Sequence, residues 1–185
     1  MNELITIAVF SQDKAGLLQR VSTPFTRRKI NIESLTVSES EVKGIHRYTI
    51  IVLVTPEMAT KVTSALEKQV DVQKAFWYKD NQIINREIAM YKMPAGSVGP
   101  GSEALAVIEN HKAQVIVTEP EFSVVQLTGR RPETTALYEA LEPLGMLEFS
   151  RSGMIAISKR MKCLDEYLAE INDAAAHHQC NRAKT

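Results

Sequence analysis

Hydrophobic positions fall along the chain in two rhythms, one suited to strands and one to helices. Residues 4–10 (LITIAVF) are apolar and β-branched with no Gly or Pro, which predicts a buried strand. Ser11 to Lys14 form a turn, with Asp13 as the expected N-cap of a helix running to about Lys29. Leu17, Leu18, Val21 and Phe25 would be its buried stripe, and Pro24 should kink or shorten it. Residues 31–38 (NIESLTVS) alternate, and Glu39 to Ile45 make a polar loop closed by Gly44. Residues 46–54 (HRYTIIVLV) form a strand. Pro56 opens a helix carrying Val62 and Leu66, and 70–78 (VDVQKAFWY) is again extended. The order is β-α-β-β-α-β.

The same order returns in the second half. Arg86 to Met93 is a strand, and Pro94 to Ser102 is a Gly- and Pro-rich loop. Glu103 to Lys112 is a short helix, followed by strands at 114–118 and 123–128 around Pro120. Pro132 to Leu144 is a helix closed by Gly145, and extended segments flank Gly153. The expectation is an α+β chain with two tandem ferredoxin-like βαββαβ domains, each an antiparallel sheet covered by helices. The first spans 1–78, a linker 79–85, the second 86–160, and a helical to disordered tail 161–185. The two domains share a pattern but no strong residue-level repeat.

Length and charge narrow the function classes. At 185 residues, two small domains fit well. The formal net charge is +0, with 22 basic and 22 acidic side chains, so no broad field draws in nucleic acid or an anionic membrane. No apolar run has membrane-spanning length, and Met1 to Leu4 lack a signal-peptide pattern. Cys163 and Cys180 make a poor disulfide framework and suit a reducing compartment, so a cytoplasmic protein is expected.

Candidate chemistry concentrates at the first strand-to-helix junction, 13–18 (DKAGLL). A helix N-terminus offers unpaired N–H groups to a carboxylate, and Gly16 lets a ligand approach the backbone. Asp13 can accept from an ammonium group. Asn31 and Ile32 add a polar contact and an apolar wall, which together suit a zwitterionic amino acid. The same residues also fit a plain helix cap. His177, His178 and Cys180 have metal-ligating types but no second cluster at ligand spacing, and no metal site is expected. Arg27-Arg28-Lys29 reads as a complement to a helix dipole, and 96–101 (GSVGPG) as a flexible loop. No Ser/His/Asp set or paired acids are present, so no catalytic residues are assigned.

Residues 13–18 followed by 27–37 (RRKINIESLTV) resemble the ACT domain of acetohydroxyacid (acetolactate) synthase small subunits. Arg86-Glu87-Ile88 and Arg151-Ser152-Gly153 resemble that family's second domain, and the likeness covers about residues 3–160. The resemblance implies a non-catalytic regulatory subunit of branched-chain amino-acid biosynthesis. It would form an ACT-domain homodimer and activate a large catalytic subunit that carries thiamine diphosphate, Mg²⁺ and FAD. This chain itself would hold no cofactor. The family's effector, typically valine, lies between subunits. Carried over, it touches Asp13, Gly16, Leu17 and Leu18 of one chain and Asn31 and Ile32 of the other. Valine-sensitive members have Asn where this chain has Asp13. The alternative is a stand-alone ACT-domain sensor acting on another partner.

Overall fold

The computed structural model describes residues 1–159. The expected C-terminal helix and tail, with His177, His178 and Cys180, lie outside the described residues. The described residues divide into two compact units: Met1–Ile84 together with 157–159, and Asn85–Ala156.

The first unit contains strand β1 (Glu3–Gln12), helix α1 (Leu17–Thr26), strands β2 (Ile32–Glu39) and β3 (Ile45–Val54), helix α2 (Pro56–Glu67) and strand β4 (Val72–Lys79). Its four-stranded sheet has the order β2-β3-β1-β4, so β2 and β4 are edges. Every pairing is antiparallel. Strand β1 is central, and residues Ile5 to Ser11 are all buried, which explains its unbroken apolar run. Ile5, Ile7 and Val9 meet Val21 and Phe25 of α1 and Val62 and Leu66 of α2 in one core. Each such side chain contributes about 1.5–3 kcal/mol by leaving water.

Helix α1 departs from expectation at three points. Gly16, not Asp13, is its N-cap, with φ 80° and ψ 0°, and no side chain caps the helix. A left-handed residue turns the chain sharply and delays the helix to Leu17. Leu18 is 49% exposed rather than buried, because it directly follows Leu17 and consecutive helical positions face different ways. The buried stripe is Leu17, Val21, Pro24 and Phe25. The helix also ends earlier, at Thr26. Lys29 takes φ 55° and Ile30 N–H donates to the Phe25 carbonyl at 3.0 Å, closing the end in a Schellman-like turn.

Pro24 leaves α1 continuous from Leu17 to Thr26. Its missing N–H should orphan the carbonyl four residues back, on Arg20. The side-chain amide of Gln69 donates to that carbonyl at 3.1 Å and replaces the lost bond.

Helix α2 starts as its sequence predicts. Pro56 is at the first position, and the Thr55 hydroxyl accepts from Met58 N–H at 3.3 Å. After β4, Asp80–Gln82 form a 3-10 turn that leads directly into β5 (Ile83–Pro94). Helix α3 (Glu103–Asn110), strands β6 (Gln114–Thr118) and β7 (Phe122–Gly129), helix α4 (Arg131–Leu141) and strands β8 (Glu148–Arg151) and β9 (Ile155–Ser158) follow. The second sheet runs β6-β7-β5-β8, with β9 also pairing with β5. The first four strands thus repeat the order of the first sheet. Ala89, Tyr91, Met93, Val125, Leu137 and Leu141 belong to its core.

Candidate functional site

The β1–α1 turn is held from two sides. Asp13 N–H donates to the Gly44 carbonyl and Gln12 N–H to the Asp71 carbonyl, both at 3.0 Å. The Asp71 side chain is 7% exposed and accepts from Lys14 Nζ at 2.8 Å and from the Arg20 guanidinium. The Lys14 hydrogen bond, reinforced by the charges of Lys14 and Arg20, holds the Asp71 carboxyl below its ordinary value of 3.8 against the opposing effect of burial. One acid between α2 and β4 thereby clamps both the turn and the first helical turn after it.

With the clamp in place, Asp13, Gly16 and Leu18 stay exposed, while the Leu17 side chain is buried. Space over Gly16 is clear, since a Cβ there would meet nothing within 4 Å. Leu17 N–H donates to the Lys14 carbonyl at 3.4 Å, and no side chain caps α1, so the N–H groups that follow Leu17 in the first turn remain for a carboxylate. Leu18 stands exposed beside them. The Asp13 carboxylate is exposed, 3.6 Å from His46 Nδ1. His46 was not singled out from the sequence, because no local signal links residues so far apart. Strand β3 brings it there by pairing His46 with Ser11.

Asn31 and Ile32 stand elsewhere. Asn31 is exposed and donates through Nδ2 to Glu33 Oε1 at 2.8 Å. It borders a cavity of about 400 Å³ with Lys29, Ile30, Leu53, Thr55 and Met58. Ile32 is half-buried and packs against the core.

The pairing registers fix the distance between the two groups. Gln12 pairs with Ile45 and Glu3 with Val54, while Ile32 pairs with Val52 and Glu39 with His46. The turn therefore lies at one end of the sheet and Asn31 at the other. The ten residues of β1 separate them by about 30 Å. Within a single chain these residues form no common pocket.

The second domain carries a buried ionic cluster that joins the two motifs noted there. Period-two alternation along β5 puts Glu87 on the core face, 0% exposed. Its Oε1 accepts from Thr134 Oγ1 at 2.6 Å and lies 2.9 Å from Arg151 Nε, while Arg131 Nε is 3.5 Å from Oε2. Both guanidinium Nε contacts are ion pairs without hydrogen-bond alignment. Arg151 also donates to Thr135 Oγ1 at 3.0 Å. Tyr91 donates to the Thr134 carbonyl at 2.7 Å, and burial pushes its hydroxyl up to about 12. Glu87 is on a strand, Thr134 on α4 and Arg151 on β8, so the cluster ties three elements together.

Comparison with known proteins agrees with this architecture. Residues 5–71 match the family model described as ACT domain, and residues 86–160 match that of the small subunit of acetolactate synthase. The acetolactate synthase small subunit of Mycobacterium bovis is 36% identical over 154 residues, covering 83% of this chain and 91% of that protein. That of Bacillus subtilis is 34% identical over 160 residues, covering 86% and 91%. In fold, the chain is similar to the crystal structure of the acetolactate synthase small subunit from Thermotoga maritima. The TM-score is 0.77 at 24% identity, covering 86% of this chain and 99% of that one. An ACT domain followed by the small-subunit domain, with relatives matched over most of their length, places this chain in the acetolactate synthase small-subunit family, as a regulatory rather than a catalytic component.

Proposed function

We propose that this chain activates the acetolactate synthase large subunit and makes it sensitive to a branched-chain amino acid, valine first. Thiamine diphosphate, Mg²⁺ and FAD are the large subunit's cofactors in this reading. The effector binds between two copies of the chain. Its carboxylate meets the Leu18 N–H at the start of the helix, over Gly16 and beside Leu17. Its ammonium group is held by the Asn31 oxygen of the partner, with Asp13 as a second acceptor. Leu18 and Ile32 wall its side chain.

The observation that carries this reading is the separation of the turn from Asn31. A site needing both must draw them from two chains. Strand β2 is a sheet edge, and an edge strand is a template for pairing with another chain. Two copies joined antiparallel through β2 set the Asn31 end of one against the Glu39 end of the other. Glu39 pairs with His46, the neighbour of Asp13, so Asn31 arrives at the partner's turn. Exposed Val37 on β2 would be covered by the same contact.

The test is acetolactate formation by the large subunit, with and without this chain, across a valine titration. Activation followed by suppression is the expected result. Activation without suppression by valine, leucine or isoleucine would remove the effector assignment. No change in rate on addition to an active large subunit would remove the activating role.

A further inference from the structure

Asp13 is a carboxylate standing where the effector reading needs room for another. An Asp at the head of a turn ordinarily bends its side chain onto the N–H groups two or three residues further on. Here those belong to Ala15 and Gly16, immediately before the helix start. Among the described residues Asp13 makes neither bond. Its Oδ1 lies 3.6 Å from His46 Nδ1 instead, and the helix start stays uncapped.

His46 is placed to hold it there. Tyr48, Ile50 and Val52 of β3 belong to the core beneath the helices. Period-two alternation therefore puts His46 on the same face, at the end of the strand that adjoins the β1–α1 turn. The His46 side chain is 25% exposed against 63% for Asp13, so the imidazole is the anchored member and the carboxylate the movable one. The backbone fixes their approach, because Asp13 N–H donates to the carbonyl of Gly44, two residues before His46. Other charged residues surround the pair. Glu39 is the register partner of His46 on β2, and Glu41 and Lys43 lie in the loop leading into β3. Arg47 sits over Phe10 on the opposite face, and the charges of Lys14 and Arg20 are met by Asp71.

We propose that His46 is a positioning residue of the effector site: it holds the Asp13 carboxylate off the β1–α1 turn and leaves the helix start open to the carboxylate of a zwitterionic amino acid. The inference rests on the effector reading above. Losing His46 acts twice in the same direction. Asp13 becomes free to occupy the turn N–H groups, and its charge, no longer offset, repels an incoming carboxylate. Because His46 engages Oδ1, the other carboxylate oxygen remains for the effector's ammonium group. Imidazole changes charge between about pH 5 and 8, and the hold is strongest when it carries its proton. Inhibition should therefore weaken as pH rises through that range.

A double-variant cycle on the assembled enzyme tests this. His46→Ala should raise the valine concentration for half-inhibition about tenfold. In the Asp13→Ala background the same replacement should change it by less than about twofold, because no carboxylate is left to hold away. A second readout needs neither effector nor large subunit. In heteronuclear NMR spectra of the full chain, His46→Ala should shift the amide signals of Ala15 and Gly16 when Asp13 is present and much less when it is Ala. Should His46→Ala fail to fold, the unaltered enzyme must still lose valine sensitivity between about pH 6 and 8 relative to Asp13→Ala. A cost of His46→Ala that persists without Asp13 would make His46 merely structural and overturn the proposal. Tighter inhibition in His46→Ala would overturn it as well, since His46 would then compete with the ammonium group for Asp13. The two readings fail separately. Amide shifts that follow the cycle, with no inhibition by any branched-chain amino acid, would remove the effector reading and keep the hold on Asp13. Inhibition with a flat cycle would remove the role of His46 alone.

Discussion

Replacing Glu87 by Ala removes the centre of the buried cluster in the second domain. Breaking a buried ion pair by deleting one partner costs about 3–5 kcal/mol when the remaining charge stays buried. Here Arg151 is 20% and Arg131 42% exposed, so both can turn partly to water. The short Thr134 bond is lost as well, and a hydrogen bond to a charged carboxylate is worth about 1.5–3 kcal/mol. The expected destabilisation is about 2–3 kcal/mol. For a domain of this size that lowers the melting midpoint by about 10–20 °C. Glu87→Gln keeps the shape and the Thr134 contact and should lose about half as much. Urea unfolding followed by far-UV circular dichroism measures the change. Trp77, the only tryptophan, lies in the ACT domain and reports that domain's unfolding separately. A loss below about 0.5 kcal/mol for the Ala variant would show that the cluster contributes little. An equal loss for Gln and Ala would locate the effect in packing rather than charge.

The remaining predictions concern the turn, the effector and two titrating groups. Asp71 has a lowered folded value, so its stabilisation is complete above the unfolded value of 3.8 and disappears as pH falls through the folded one. Acid unfolding monitored by Trp77 should lose part of its pH dependence in Asp71→Asn, and an unchanged profile would exclude the clamp. Tyr91 is raised to about 12, so its contribution is present below pH 10 and lost as pH rises towards 12. A tyrosinate absorbance titration should show one late component, absent in Tyr91→Phe. Gly16→Ala meets no atom within 4 Å but must hold a positive φ, which should cost about 1–2 kcal/mol of stability. In Gly16→Val the side chain should also block effector inhibition, and intact inhibition would remove the turn from the site. Asn31→Ala should weaken inhibition while leaving activation of the large subunit largely intact, and joint loss of both would make Asn31 structural.

Strand order and helix faces could be read from sequence where local chemistry and tertiary packing agree. Strand β1 is apolar because it is central, and Pro56 opens α2 because a first-turn proline loses nothing there. Asp13 misleads because an acid before a helix resembles a cap. The left-handed Gly16 moves the helix start, and Asp13 instead faces His46 across the sheet. Strand β5 hides its one buried acid. Both of its faces carry apolar side chains: Ile84, Ile88 and Met90 are 50%, 44% and 43% exposed, while Glu87 faces inward beside Ala89 and Tyr91. A buried acid is legible only once its partners Thr134 and Arg151 are known, and they are distant in sequence. The separation of Asn31 from the turn likewise depends on strand register, which a single sequence does not state.

That separation has a genetic consequence. In a two-fold dimer each of the two sites takes its turn from one chain and its Asn31 from the other. A turn variant and an Asn31 variant, each insensitive alone, would together form mixed dimers with one doubly damaged site and one entirely unaltered site. Two defective alleles could thus complement each other inside the same assembly. Loss of the Asp71 clamp damages only the turn of its own chain, so such a variant would count as a turn variant and be rescued by an Asn31 variant in the same way.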